Sequence, residues 1–181
     1  MKKKMIATLL TAAMAAGSLS GATVFAADAG TDEKVEMADA SDVDGTTITF
    51  WHSMGGVNGE AIDTLVKKFN DENEYGITVD AQYQGEYDDS LNKLKSAQIG
   101  NMGADLVQVY EIGTRFMIDS GWIVPMQQMI DADSYDVSEI EPNLAAYYTI
   151  DNELYSMPFN SSTPIMYYNK DMFDKAGITE I

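Results

Sequence analysis

Between Thr46 and Val109 the apolar residues switch from a period of two to a helical period and back, twice over. Thr47-Ile48-Thr49-Phe50-Trp51 is dense in β-branched and aromatic side chains and predicts a strand. Gly55-Gly56 breaks it. Val57, Ala61, Ile62, Leu65, Val66 and Phe69 then recur at helical spacing, which predicts a helix over 58–72. Gly76 turns the chain into an alternating run, Ile77, Val79, Ala81 and Tyr83, and after Gly85 a second helix carries Leu91, Leu94, Ala97 and Ile99 on one side. Leu106, Val107 and Val109 supply a third short strand. Strand, helix, strand, helix, strand at these lengths is a βαβαβ unit, with right-handed crossovers and parallel strands covered on both faces. The fold class is therefore α/β.

Beyond this unit the pattern predicts short helices at 114–120, 125–130 and 139–149, and two more strands at 154–159 and 164–168. Ahead of it lie two segments of different character. Lys2, Lys3 and Lys4 precede an uncharged run, 5–16, that falls short of the roughly 20 residues a spanning helix needs. Val24-Phe25-Ala26 follows as a cleavage site, so residues 1–26 read as an export signal cut after Ala26. Residues 27–45 are small and acidic, with too little apolar surface to offset chain entropy, and read as a disordered leader. The folded domain runs over 46–181. With no cysteine there is no lipobox, so an exported chain of this kind is expected free in the periplasm or secreted, not as a standard lipoprotein.

A formal charge of −18, with Arg115 as the single arginine and no Lys/Arg cluster past Lys4, gives no means of neutralising a phosphate backbone. Nucleic-acid binding is not expected, and an anionic membrane surface would repel the chain. The lack of cysteine also removes thiol nucleophiles and Cys-ligated metals. A hydrolase is the reading from a different class: it would place His52 beside a serine such as Ser53, but no nucleophile elbow is present, and paired carboxylates are uninformative among 29 acidic residues. Asp131, Asp133, Asp136 and Glu139 lack the Gly and terminal Glu of a calcium loop and read as a solvated acidic turn. No catalysis, metal or cofactor is expected.

In open α/β sheets ligands lie beyond the carboxyl ends of the strands. Here those ends are polar and aromatic: Trp51-His52-Ser53-Met54, then Gly85-Glu86-Tyr87, then Tyr110-Glu111, then Asn160-Ser161-Ser162-Thr163. Aromatic walls with a carboxylate, an imidazole and hydroxyls suit a small polyol, and a phosphate can sit on hydroxyls and free helix N–H groups. Each residue also has a structural reading. His52 can be a satisfied core side chain, Glu111 can favour the positive end of a following helix, Tyr87 can cover the core edge, and Asn160 to Thr163 can be turn chemistry.

The strings FWHSM (Phe50 to Met54), QVYEIGT (Gln108 to Thr114) and PFNSSTPIMYYNKDMFDKAG (Pro158 to Gly177), with GEYDDSL (Gly85 to Leu91) between the first two, resemble the glycerol-3-phosphate binders among extracellular solute-binding protein family 1. These are the ligand-capturing components of bacterial ABC importers. YNKD with the following F and KAG also occurs in the sugar and oligosaccharide binders of the wider family, which are the alternative reading. The resemblance implies a type II periplasmic-binding fold of two α/β lobes, of which 46–181 would be the first, with the chain ending before most of the second. It implies a ligand of sn-glycerol-3-phosphate or a glycerophosphodiester, held in the cleft by a monomer that docks on membrane permease subunits. By motif, Tyr87 and Glu111 fall at the glycerol end and Ser162 at the NSST turn, with Trp51, His52 and Ser161 as neighbours. A carboxylate accepts two hydroxyl hydrogen bonds and repels a phosphate, so the phosphate belongs elsewhere in the cleft.

Overall fold

The computed structural model describes residues 35–100 and 102–179. The expected export signal, 1–26, lies outside them. The expected leader is corrected at its C-terminal end: Ala40–Val43 forms one helical turn, α1, and Val43 is fully buried. Val43, Ile48 and Ile77 make a small core on which Ala38, Phe69, Tyr75 and Val79 pack. Acidic neighbours hide this role in the sequence, because one valine among them carries no periodicity.

Three parallel strands form the sheet, in the order β2-β1-β3: β1 is Thr47–His52, β2 is Thr78–Tyr83 and β3 is Leu106–Val107. The central strand alternates as its sequence demands. Ile48, Phe50 and His52 are buried on one face, while Thr49 and Trp51 on the other are half-buried. β3 is shorter than the apolar run suggested, and Val109 lies outside it. At the amino end of β3 the pairing is extended by a side chain, the Asp105 carboxylate accepting the Thr49 N–H at 2.8 Å.

The crossover helices are α2, Gly56–Glu72, and α3, Tyr87–Ile99. On α2 only Ile62 is fully buried, with Val66 and Phe69 half-buried; Val57 and Leu65 face solvent, so the core-facing stripe is narrower than the spacing implied. Two asparagines fasten α2 to the sheet. The Asn70 carboxamide accepts from Val79 N at 2.8 Å and donates to Val79 O at 3.0 Å, closing a backbone site on edge strand β2. Asn73, at the helix end, accepts from Ile77 N and donates to Ile77 O and Phe69 O. Gly76, at φ +68, makes the turn between them.

A 3-10 turn, Glu111–Gly113, leads into α4, Thr114–Ser120, as expected; α5 is Met126–Asp133. The helix expected at 139–149 is shorter, α6, Pro142–Tyr147, because Pro142 fixes its first residue and the Glu141 carboxylate caps Asn143 N and Leu144 N. The last two expected strands are corrected. Glu153–Leu154 (β5) pairs antiparallel with Thr149–Ile150 (β4), and 155–169 has no regular structure. Ile165, Met166 and Tyr167 carry a strand-like sequence but stand exposed, since among the described residues no neighbouring strand offers them a ladder. The chain ends its described part in α7, Lys170–Ala176, capped by Asn169.

Candidate functional site

The parallel register places the carboxyl ends of all three strands at one edge of the sheet. His52 O accepts from Gln84 N at 2.9 Å and Trp51 O accepts from Gln108 N at 2.8 Å, so the chains leaving β1, β2 and β3 start side by side. Side chains then tie them together. Gln108, 8% exposed, accepts the Ser53 N–H through Oε1 at 2.9 Å and donates from Nε2 to Asn160 Oδ1 at 2.6 Å. Asn160 Nδ2 donates in turn to the Tyr87 hydroxyl at 3.0 Å. Four segments distant in sequence thus meet: the end of β1, the end of β3, the start of α3 and the 158–163 loop.

Tyr87 lies parallel to Tyr110, with ring centroids 5.3 Å apart and 9° between planes. The Tyr110 hydroxyl donates to Asp88. That hydrogen bond holds the Tyr110 phenol above its ordinary value by favouring the protonated form; burial, then the negative charges of Asp88 and Glu111, push the same way. Glu111 opens the 3-10 turn beside Tyr110 and is exposed. Glu86, Asp88 and Asp89 are exposed as well, so this end of the site is electronegative and offers acceptors to hydroxyl groups.

The residues expected in the site separate into groups. Tyr87 stacks on Tyr110, and Glu111 follows Tyr110 directly at the start of the 3-10 turn. Ser161 and Ser162 follow Asn160, the residue that anchors their loop to Gln108 and Tyr87, and both are exposed. His52 is 3% exposed among aromatic rings, 5.6 Å from Phe50 and 6.0 Å from Tyr83, with Nδ1 accepting from Met54 N at 3.3 Å. Burial lowers its pKa below the ordinary value of 6.5, against the pull of Asp63. Trp51 points to the other face of β1 and donates from Nε1 to Gln82 Oε1 at 3.1 Å.

Three members of the cluster were not singled out as ligand contacts from the sequence: Gln108, Tyr110 and Asn160. Gln108 had a legible signal, an amide inside the apolar run Leu106 to Val109 at a strand's carboxyl end. Ser53, 6% exposed, adds a hydroxyl oxygen with no hydrogen-bond partner among the described residues. Among the described residues no group of three acidic or histidine side chains is arranged to hold a metal ion. In the acidic 131–139 run, Asp136 instead accepts from Ser138, whose side chain and backbone N–H, the latter at 2.9 Å, lower its pKa.

In open α/β sheets ligands lie beyond this edge, where the polar cluster stands. The sequence profile of the bacterial extracellular solute-binding proteins matches residues 64–181. The chain belongs to this family. Over 139 residues it is 44% identical to the sn-glycerol-3-phosphate-binding periplasmic protein UgpB of Salmonella typhimurium, covering 74% of this chain and 31% of that one. The corresponding protein of Escherichia coli K12 is 42% identical over 139 residues, with the same coverage. The chain thus spans about a third of the length of these relatives.

Solved solute-binding proteins share the fold. The cyclic alpha-maltosyl-1,6-maltose binding protein of Arthrobacter globiformis superposes with a TM-score of 0.51 at 21% identity, over 60% of this chain and 27% of that one. An ABC substrate-binding protein of Listeria monocytogenes in complex with cycloalternan gives 0.52 at 23% identity, over 75% and 34%. The parallel sheet flanked by helices is thus that of one part of a solute-binding protein, as the sequence led us to expect.

Proposed function

We propose that this chain forms one wall of the ligand cleft in the substrate-binding component of an ABC importer, and that the ligand is sn-glycerol-3-phosphate or a glycerophosphodiester. The observation that carries the ligand class is the 42–44% identity to relatives named for binding glycerol-3-phosphate. In this reading Tyr87, Glu111 and Ser162 contact the ligand, with Ser161 beside them, and His52 and Trp51 shape the sheet edge behind. Glu111 takes two glycerol hydroxyls, and the surrounding carboxylates keep the phosphate at a distance. The guanidinium of Arg115, the single arginine, pairs with Asp119 on the same helix. Binding without chemical conversion, export to the periplasm or exterior, work as a monomer and delivery to membrane permease subunits complete the proposal. No helix among the described residues is long and apolar enough to cross a membrane.

A second reading, a sugar or oligosaccharide ligand, is favoured by the parallel Tyr87–Tyr110 pair, whose faces suit the C–H surface of a pyranose. Calorimetric titration of the full-length protein with sn-glycerol-3-phosphate, glycerophosphocholine and maltose separates the two. Heat with the phosphates and none with maltose supports the first reading; heat with maltose alone rejects it.

A further inference from the structure

The hydrogen bonds at the sheet edge have a direction, and it is fixed at one end. Ser53 N is a backbone amide and can only donate, so the oxygen of the Gln108 carboxamide must face it. The Gln108 NH2 is therefore turned to Asn160, which presents its oxygen in reply. That leaves the Asn160 NH2 facing the Tyr87 hydroxyl, whose oxygen accepts. Neither amide can turn over without setting two donors or two acceptors against each other; Gln108 is buried, so water does not relieve the mismatch at its amide, while Asn160 is exposed. The proton of Tyr87 is excluded from the relay and must be given to a group outside it.

We propose that Gln108 is a positioning residue which, through Asn160, makes Tyr87 meet its ligand as a hydrogen-bond donor. This rests on the reading of Tyr87 as a ligand contact and sharpens it. The ligand atom at Tyr87 is then an acceptor, a hydroxyl, ester or phosphate oxygen, and a ligand offering only an ammonium or amide N–H at that place is selected against. Tyr110 has the opposite character, because its proton is committed to Asp88, which leaves its oxygen to accept. One face of the site therefore carries both a fixed donor and a fixed acceptor, as a ligand hydroxyl that both accepts and donates requires.

Two measurements on the full-length protein test this. The first needs no ligand: in the wild type, the side-chain NH2 of Asn160 should show a nuclear Overhauser contact to the Tyr87 ring, lost in Gln108→Leu, where nothing holds the amide in one orientation. Gln108→Glu keeps the acceptor for Ser53 N and removes the donor to Asn160, so it should lose the contact too and serves if Gln108→Leu does not fold. The second is a double-mutant cycle read by affinity for sn-glycerol-3-phosphate. Tyr87→Phe should weaken binding about tenfold in the wild type and less than about twofold in the Gln108 variant. An Asn160 contact unchanged by both Gln108 variants, or losses that simply add, would overturn the proposal. A wild type that does not bind sn-glycerol-3-phosphate would instead reject the ligand reading, and the amide measurement would still decide the relay.

Discussion

The ring of Tyr87, at the start of α3, lies 5.3 Å from and nearly parallel to that of Tyr110, which follows β3. The crossover between parallel strands brings the two together: α3 begins where β2 ends, and β1 lies between β2 and β3. Each ring is held by its own polar contact, Tyr87 by Asn160 and Tyr110 by Asp88. Replacing Tyr110 with Ala should weaken sn-glycerol-3-phosphate binding by about 0.5–1.5 kcal/mol, the range for an aromatic pair, and reduce the near-ultraviolet tyrosine dichroism. Tyr110→Phe should keep the dichroism. Equal loss in both variants would mean the stack contributes nothing.

Glu111 is exposed, so its carboxylate is dispensable for folding. Glu111→Gln should leave the thermal midpoint within a degree or two and weaken the polyol contact by ~1–3 kcal/mol, measured by calorimetry. Unchanged affinity would remove Glu111 from the site.

His52 is the single histidine of the chain, which makes its titration separable. Its folded pKa is lowered below 6.5, chiefly by burial. The unfolded chain then binds more protons than the folded one just under pH 6.5, so stability is full above that value and falls as the pH drops through the window beneath it. The imidazole Cε1–H resonance should titrate with a midpoint below 6.5. Urea unfolding at pH 7.5 and pH 5.5 should show a loss in the wild type that is smaller in His52→Asn. A midpoint above 6.5 would contradict the buried, neutral imidazole.

Val43 should behave as a core residue despite its acidic surroundings, because it packs on Ile48 and Ile77. Removing its apolar contacts in Val43→Ala should cost a large part of the ~1.5–3 kcal/mol associated with burying a valine, and Ile77→Ala should cost ~2–5 kcal/mol. Both are read from urea midpoints. A silent Val43→Ala would return the 40–43 turn to the leader.

The βαβαβ unit was legible because period two and period 3.6 alternate cleanly from Thr46 onward, and both crossover helices begin and end at glycines or polar breaks that the sequence displays. The position of Tyr87 and Glu111 at that edge was legible for a related reason: parallel topology sends strand ends to one edge, so residues there can be named before their contacts are known. What escaped depends on pairing across long separations. Gln108 and Asn160 are 52 residues apart, and nothing local announces that one amide completes the other. Ile165 to Tyr168 has the composition of a strand, yet a strand exists only through its partner, and none stands beside it among the described residues. Val43 failed the same test in reverse, a lone apolar residue whose partners lie on β1 and just before β2.

The convergence of the β1, β3 and α3 ends with the 158–163 loop into one ligand-facing surface is tested most directly by a nitrogen–proton correlation titration with sn-glycerol-3-phosphate. Saturable shifts gathered at Ser53, Tyr87, Glu111 and Ser162, with α2 and α7 unmoved, are the predicted result. Saturable shifts that leave those four still and move α2 or α7 instead would contradict it.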